Sequence, residues 1–401
     1  MNKYDWMLFL LIISLATGSI GGALIPTRII TIALTPFLSR KDLFNYKAKS
    51  LVWFFTAWLS FCVISLIWTS DTNQGLKELV YYPIHMLFFL ELICFSRKAK
   101  NPLRTITNAW IITLTCTSII AIWELTTGNH LSISKWDEDT INYDGILVNH
   151  SFASVTFGNY NGYVVFLIYA LPYLLYRLVS YPTKIIKIIC MVLLGTTCYT
   201  LFMNSSRGGL LSMLIIFLTF IFMGSKLRDK TLQRSFYFLS FLIVFIIYKY
   251  WDVLSFYLSI RTSGMSSSTD DVRWSIWSNA FICLIDSNFI GTGVGSVIES
   301  MRKVAATGNV IVPHNLFIEF AVQYGVIFFI VFIVFLLKTF RRSLKSSNIQ
   351  EKMLLMSQFL ALPVVSLIDS SYLLNPATWC FFACIYIFSN NENLPYFNTR
   401  I

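Results

Sequence analysis

A chain of 401 residues with 56% apolar, 16% aromatic and only 13% charged residues is far from the usage of a soluble domain, and it belongs to the membrane class before any motif is read. Its formal charge of +11 would suit a nucleic-acid binder, but most of the cations lie in short loops flanking hydrophobic runs. Topology and anionic lipid head groups explain them better, so membrane lipids are expected as partners and nucleic acid is not.

A helical span needs about 20 apolar residues, or fewer when it is short or broken. Twelve candidate runs follow one another, at 6–24, 25–38, 50–69, 80–95, 107–126, 161–176, 185–203, 209–223, 235–252, 314–337, 353–368 and 372–388. The expectation is therefore an all-α polytopic membrane protein of about 12 transmembrane helices, with residues 1–401 forming one integral-membrane domain. The first run reads as a retained anchor rather than a signal peptide, because hydrophobicity resumes at once. Gly18 and Gly22 within it form a small-xxx-small pattern that would let two helices approach closely. The second run is interrupted by Pro26, Arg28 and Pro36 and is open to a half-helix reading. His85, Glu91 and Glu124 fall inside later runs, where structural hydrogen bonding is favoured over catalysis.

The cations alternate in sidedness. Lys3, those within 40–49, 97–104, 177–187, 226–234 and 338–352, and Arg400 fall on one set of connections. The positive-inside rule makes that set cytoplasmic, together with both termini. The two long connections, 127–160 and 253–313, then lie outside, the second between the ninth and tenth spans.

In the second outer loop, Ser268 or Thr269 can cap a helix whose first turn holds Asp270 and Asp271. Trp274, Trp277, Phe281, Leu284 and Ile285 follow at roughly helical spacing, which reads as an amphipathic helix on the membrane or the bundle. Arg273 sits near its start, where it gains nothing from the helix dipole, so an external anion is a reasonable partner. The glycine run Gly291-Thr292-Gly293-Val294-Gly295 reads as turns, since no strand and helix frame it as a dinucleotide fingerprint requires.

All cysteines but Cys283 lie in expected spans, and no His or carboxylate cluster accompanies Cys380 and Cys384. No outer disulfide, metal site or cofactor is expected. Asn204-Ser205-Ser206-Arg207-Gly208-Gly209 links two runs on the outer side. Its guanidinium can bind phosphate oxygens bidentately, and its glycines permit close backbone approach. Arg207, Arg273 and His314 share that side, and Arg261 is a further cation there.

These motifs together resemble the O-antigen polymerase and O-antigen ligase superfamily. They are Ser206-Arg207-Gly208-Gly209, Val272-Arg273-Trp274 with Gly291-Thr292-Gly293 after it, and Pro313-His314-Asn315 opening a span. Phe157-Gly158-Asn159-Tyr160-Asn161 is similar to the family's F-G-N-P-N element, with Tyr160 in place of Pro. His314-Asn315, nine intervening residues and then Gly325 resemble the ligase pattern, although Phe328 departs from its usual ending.

The resemblance implies a metal-independent glycosyl transfer on the outer or periplasmic face of the cytoplasmic (inner) membrane. Its substrate would be undecaprenyl-diphosphate-linked oligosaccharide, and a chain-length regulator would be a partner. Arg207 and Arg273, with Arg261 as a further candidate, would take up charge on the departing diphosphate, and His314 would remove the acceptor hydroxyl's proton. Asn161, Asn315 and Glu319 would support them. Glu319 lies five residues from His314, about 140° around a helix, and shares a face more naturally with Asn315. The F-G-N-like element and the incomplete ligase ending favour a polymerase over a ligase acting on lipid A-core. A flippase for the same lipid-linked sugars is the different-class alternative, and the clustering of the candidate residues on one side argues against it.

Overall fold

The computed structural model describes residues 1–45, 48–134, 139–143, 146–150, 152–180, 183–224, 269–304 and 312–390, and α-helix dominates them. Helix α1 (Lys3–Ile13) opens on a capping box, with the Asn2 side chain accepting from the Tyr4 and Asp5 N–H groups and the Asp5 carboxylate accepting from the Asn2 N–H. The expected run 6–24 does not continue as one helix. Gly18 takes φ +49°, and a Cβ there would lie 2.4 Å from the Thr156 carbonyl oxygen. Gly18 and Gly22 therefore lie beyond the helix, and the helix-pairing reading of the two glycines is corrected to a turn that meets the 152–157 segment.

The second run is half-length, as its prolines allow: α2 (Pro26–Leu34) carries Arg28, which is buried with its guanidinium 3.6 Å over the Tyr81 ring. After the short α3 (Arg40–Leu43) come α4 (Lys49–Ser65), α5 (Thr72–Lys98) and α6 (Pro102–Thr127). The first long connection departs from an all-helical reading. Strands β1 (Asp139–Tyr143) and β2 (Ile146–His150) pair antiparallel, Asp139 opposite His150, in a stretch where Thr140, Ile141, Ile146 and Val148 are β-branched.

Then follow α7 (Tyr160–Ser180), α8 (Lys184–Met203), α9 (Arg207–Gly224), α10 (Thr269–Asp286), α11 (Val297–Val304), α12 (Leu316–Leu344), α13 (Ile349–Val365) and α14 (Pro376–Ser389). The expected run 235–252 lies outside the described residues. Among the described residues, α5, α6, α7, α8, α9 and α12 are long and apolar enough to cross a membrane, and α4 and α14 are shorter apolar helices.

Helix α7 is the axis of the bundle, with 94% of its apolar stretch buried. Its tyrosines carry the packing: Tyr173 stacks on Trp110 at 5.2 Å, and Tyr169 on Phe381 at 4.1 Å. The peripheral helices turn apolar side chains outward, with Ile327 77%, Phe222 74% and Ile185 73% exposed, and Ile67 in the turn after α4 is 85% exposed. Water would not tolerate so much apolar surface, whereas lipid solvates it, as a multi-pass membrane protein requires.

Helix α12 is broken at Gly325, whose φ of 79° and ψ of 173° leave the helical region. The loop after α10 inserts there. Thr292 and Gly293 donate their N–H groups to the carbonyls of Val322 and Gln323, at 2.8 and 3.1 Å, and Val326 donates to Phe289 O at 3.0 Å. Every one of those α12 groups would otherwise bond within an unbroken helix, so the loop satisfies backbone that lipid could not. Only glycine fits: a Cβ on Gly325 would lie 2.1 Å from Ile290 O, and one on Gly291 would lie 2.5 Å from Gly325 N. The same loop is tied to the end of α4, where Val294 N donates to Ser65 Oγ at 3.0 Å and Trp68 Nε1 to Gly291 O at 3.0 Å.

Candidate active site

Arg207 stands at the first position of α9 and is exposed. The turn before it is rigid. Asn204 accepts from Ala153 N at 2.7 Å and donates to Ala153 O at 3.0 Å, Ser205 adopts a left-handed φ of 48°, and Ser206 Oγ accepts from Gly209 N at 3.2 Å. A Cβ on Gly208 would meet Ile368 Cγ1 at 2.8 Å, and one on Gly209 would meet Val164 Cγ1 at 2.6 Å. The two glycines thus let the arginine turn press against α7 and against the turn between α13 and α14.

The same turn receives two other motifs. Gly162, next to Asn161, lies so close that a Cβ would be 3.2 Å from Asp369 Oδ2, and Leu316, next to Asn315, donates its N–H to Ser366 O at 3.0 Å. Residues 366–371 are therefore the hub on which the elements bearing Arg207, Asn161 and Asn315 converge. Asn161 is half-buried in the first turn of α7, its N–H held by Asn159 Oδ1 at 3.0 Å. Glu124 braces the approach to that turn by accepting from Ser154 N and Val155 N, each at 2.8 Å, which is the structural role expected of it. His85 is likewise structural, bonded to Arg28 Nε and Leu373 O, and Glu91 accepts from Thr35 Oγ1.

His314 is not part of a helix. It takes a left-handed φ of 45°, and α12 begins only at Leu316, with Asn315 as its cap accepting from Phe317 N at 2.9 Å and Ile318 N at 3.2 Å. The expected span start at 314 is thus two residues early, and the helical angle between His314 and Glu319 does not apply. Asn315 and Glu319 do share the helix, joined by Glu319 N donating to Asn315 O at 2.9 Å. Helix α10 holds the histidine turn from the side through Trp277 Nε1, which donates to Pro313 O at 3.1 Å. Burial pushes the His314 pKa below the ordinary histidine value, and the Arg273 guanidinium pushes it the same way. A neutral imidazole beside a permanent cation results, and such an imidazole can accept a proton at physiological pH.

The apolar stripe expected on α10 is corrected. Its buried side is Ile276, Ala280, Cys283 and Leu284, packed with Val297, Met301 and Val322 on α11 and α12. Trp274 and Phe281 are 66% and 56% exposed, so apolar residues occupy both faces and hid the true register. Arg273 is exposed on this helix. Arg261 lies outside the described residues.

Glu78, Gln323 and Asp369 were missed in the sequence, whereas Glu319 was expected as a support. Glu78 is buried and accepts from Tyr82 Oη at 2.7 Å, from Gln74 Nε2 at 3.2 Å and from Gln323 Nε2. Asp369 sits in the hub, its N–H donated to Tyr372 Oη at 2.9 Å. Glu319 is gripped by Ser371 N, at 3.1 and 2.9 Å from its two oxygens. Glu78, Gln323 and Glu319 line one small cleft, partly open to solvent, which also reaches Pro313 beside His314. The i, i+4 spacing of Gln74, Glu78 and Tyr82 was the available signal for the buried network.

A family model described as O-Antigen ligase matches residues 189–333, the stretch that holds Arg207, Arg273, His314, Asn315 and Glu319. The teichuronic acid biosynthesis protein TuaE of Bacillus subtilis (strain 168) is 23% identical over 290 residues, which cover 70% of this chain and 57% of the relative. The chain thus spans little more than half the length of that relative. The two matches support the resemblance to the O-antigen polymerase and ligase superfamily that the motifs carry.

Proposed function

We propose that this protein is a polymerase of O-antigen or a related surface polysaccharide, a metal-independent glycosyltransferase working as one integral domain of the cytoplasmic membrane. It transfers a growing glycan from undecaprenyl diphosphate to a lipid-linked repeat unit on the outer face, with both termini in the cytoplasm and a chain-length regulator as partner. The acceptor hydroxyl attacks the anomeric carbon, its proton passes to His314, and the bond from that carbon to the diphosphate oxygen breaks. Charge gathers on the leaving diphosphate, and Arg207 and Arg273 receive it, with Arg261 as a further cation. Asn161, Asn315 and Glu319 hold the surrounding turns.

The observation that carries this reading is His314, fixed in a left-handed turn and kept neutral by burial and by Arg273. The cationic pattern of the loops supports the outer placement. A ligase acting on lipid A-core is the second reading, favoured by the description of the matching family.

Purified protein given only lipid-linked repeats separates these readings. A polymerase builds longer glycans without lipid A-core and keeps its rate in chelator. Elongation that starts only when lipid A-core is added establishes the ligase, and movement of sugar across the bilayer at unchanged glycan length establishes a flippase.

A further inference from the structure

The cleft beside His314 has walls of two kinds. Glu78, Glu319 and Gln323 supply carboxylate and amide groups, while Ile298, Leu373 and Leu374 supply aliphatic surface. A sugar ring has the matching pair of surfaces, hydroxyls around its edge and C–H groups on its faces. A diphosphate does not fit this lining, because no Lys or Arg among the described residues is in it to take up the charge. The two carboxylates also differ. Glu78 already accepts from Gln74, Tyr82 and Gln323, so it forms the floor and orients the Gln323 amide. Among the described residues, Glu319 accepts backbone N–H groups from Ser371 and Tyr372 alone, and a carboxyl group offers about four lone-pair sites, so it retains capacity for a hydroxyl donor.

We propose that this cleft is the acceptor-glycan subsite, with Glu319 as a specificity-determining residue that takes neutral or amine-bearing sugars and rejects a uronate there. The proposal rests on the transfer reading above, since the acceptor hydroxyl must reach His314, and Pro313 brings the cleft to that residue. It divides the substrate by charge: the diphosphate goes to the arginines and the acceptor sugar to the carboxylate-lined cleft.

The test uses the full chain in membrane vesicles with Ile298→Cys at the cleft rim, labelled by an impermeant maleimide and read by mass spectrometry. Two probes are compared: lipid-linked repeat units extracted from the host membrane, and the same polyprenyl diphosphate stripped of its sugar. The repeat units slow labelling and the stripped carrier does not. With Glu319→Gln added, the concentration of repeat units giving half-protection rises about 3–10-fold, the loss of one hydrogen bond. Equal protection by the stripped carrier, or none by the repeat units, overturns the proposal. Protection by repeat units in a protein that forms no glycosidic bond keeps the cleft as a glycan site and sinks the transfer reading instead.

Discussion

In the proposed mechanism His314 concentrates the chemistry in one side chain, and its environment makes a specific pH prediction. Its pKa lies below the ordinary histidine value because burial disfavours the imidazolium and Arg273 adds repulsion. In that mechanism the neutral form is the base, so activity should be full above the ordinary histidine range and be lost only as pH falls through the lowered value. Arg273→Ala removes the smaller of the two causes. Beyond slowing the reaction, it should move the acid limb of the pH–rate profile upward, part of the way toward the ordinary value. A limb that stays in place would show that the guanidinium and imidazole are not coupled.

His314, Arg207 and Arg273 were legible because each sits in a short motif beside a hydrophobic run. Glu78, Gln323 and Asp369 were not, because Glu78 beside Lys77 reads as a membrane-edge charge and Asp369 as the end of a span. Their meeting depends on contacts far apart in sequence.

At the scale of elements, hydrophobic runs located most of the described helices to within a few residues, as length and apolarity fix the cost of crossing lipid. The break in α12 was hidden, since a glycine inside an apolar run is ordinary and its partner lies some thirty residues away in the chain, at 289–293. The break gives the stretch between Asn315 and Gly325 its meaning: it is the first half of the helix, from its Asn315 cap to the inserted loop. Gly325→Ala should therefore destabilise the protein by about 1–3 kcal/mol from backbone strain alone, and by more through the clash with Ile290 O. Gly195→Ala, in α8 where a Cβ meets nothing within 4 Å, should be neutral or stabilising by up to about 1 kcal/mol. Chemical denaturation in detergent compares the two, and equal stabilities would remove the structural account of the broken helix. The register of α10 was misread for a different reason, since apolar residues on both of its faces leave no single stripe to find.

The molecule as a whole is an apolar bundle around α7 that gathers several loops on one hub, residues 366–371. Packing contacts and the Leu316–Ser366 backbone bond hold the elements bearing Arg207, Asn161 and Asn315 there. The alternation of loop cations could be read from sequence, and in the proposed topology it orients the hub toward the outer face. The convergence itself could not, because it arises from packing contacts such as Gly208 against Ile368 and Gly162 against Asp369.

The most direct measurement is single-turnover transfer in proteoliposomes, with lipid-linked donor and acceptor on the accessible outer side, comparing wild type with His314→Ala. The account predicts that His314→Ala inserts and binds donor normally, yet forms glycosidic bonds about 10²–10⁴-fold more slowly, the contribution expected of a general base. Bond formation at the wild-type rate would contradict it, and would leave His314 as a structural residue of the α12 turn.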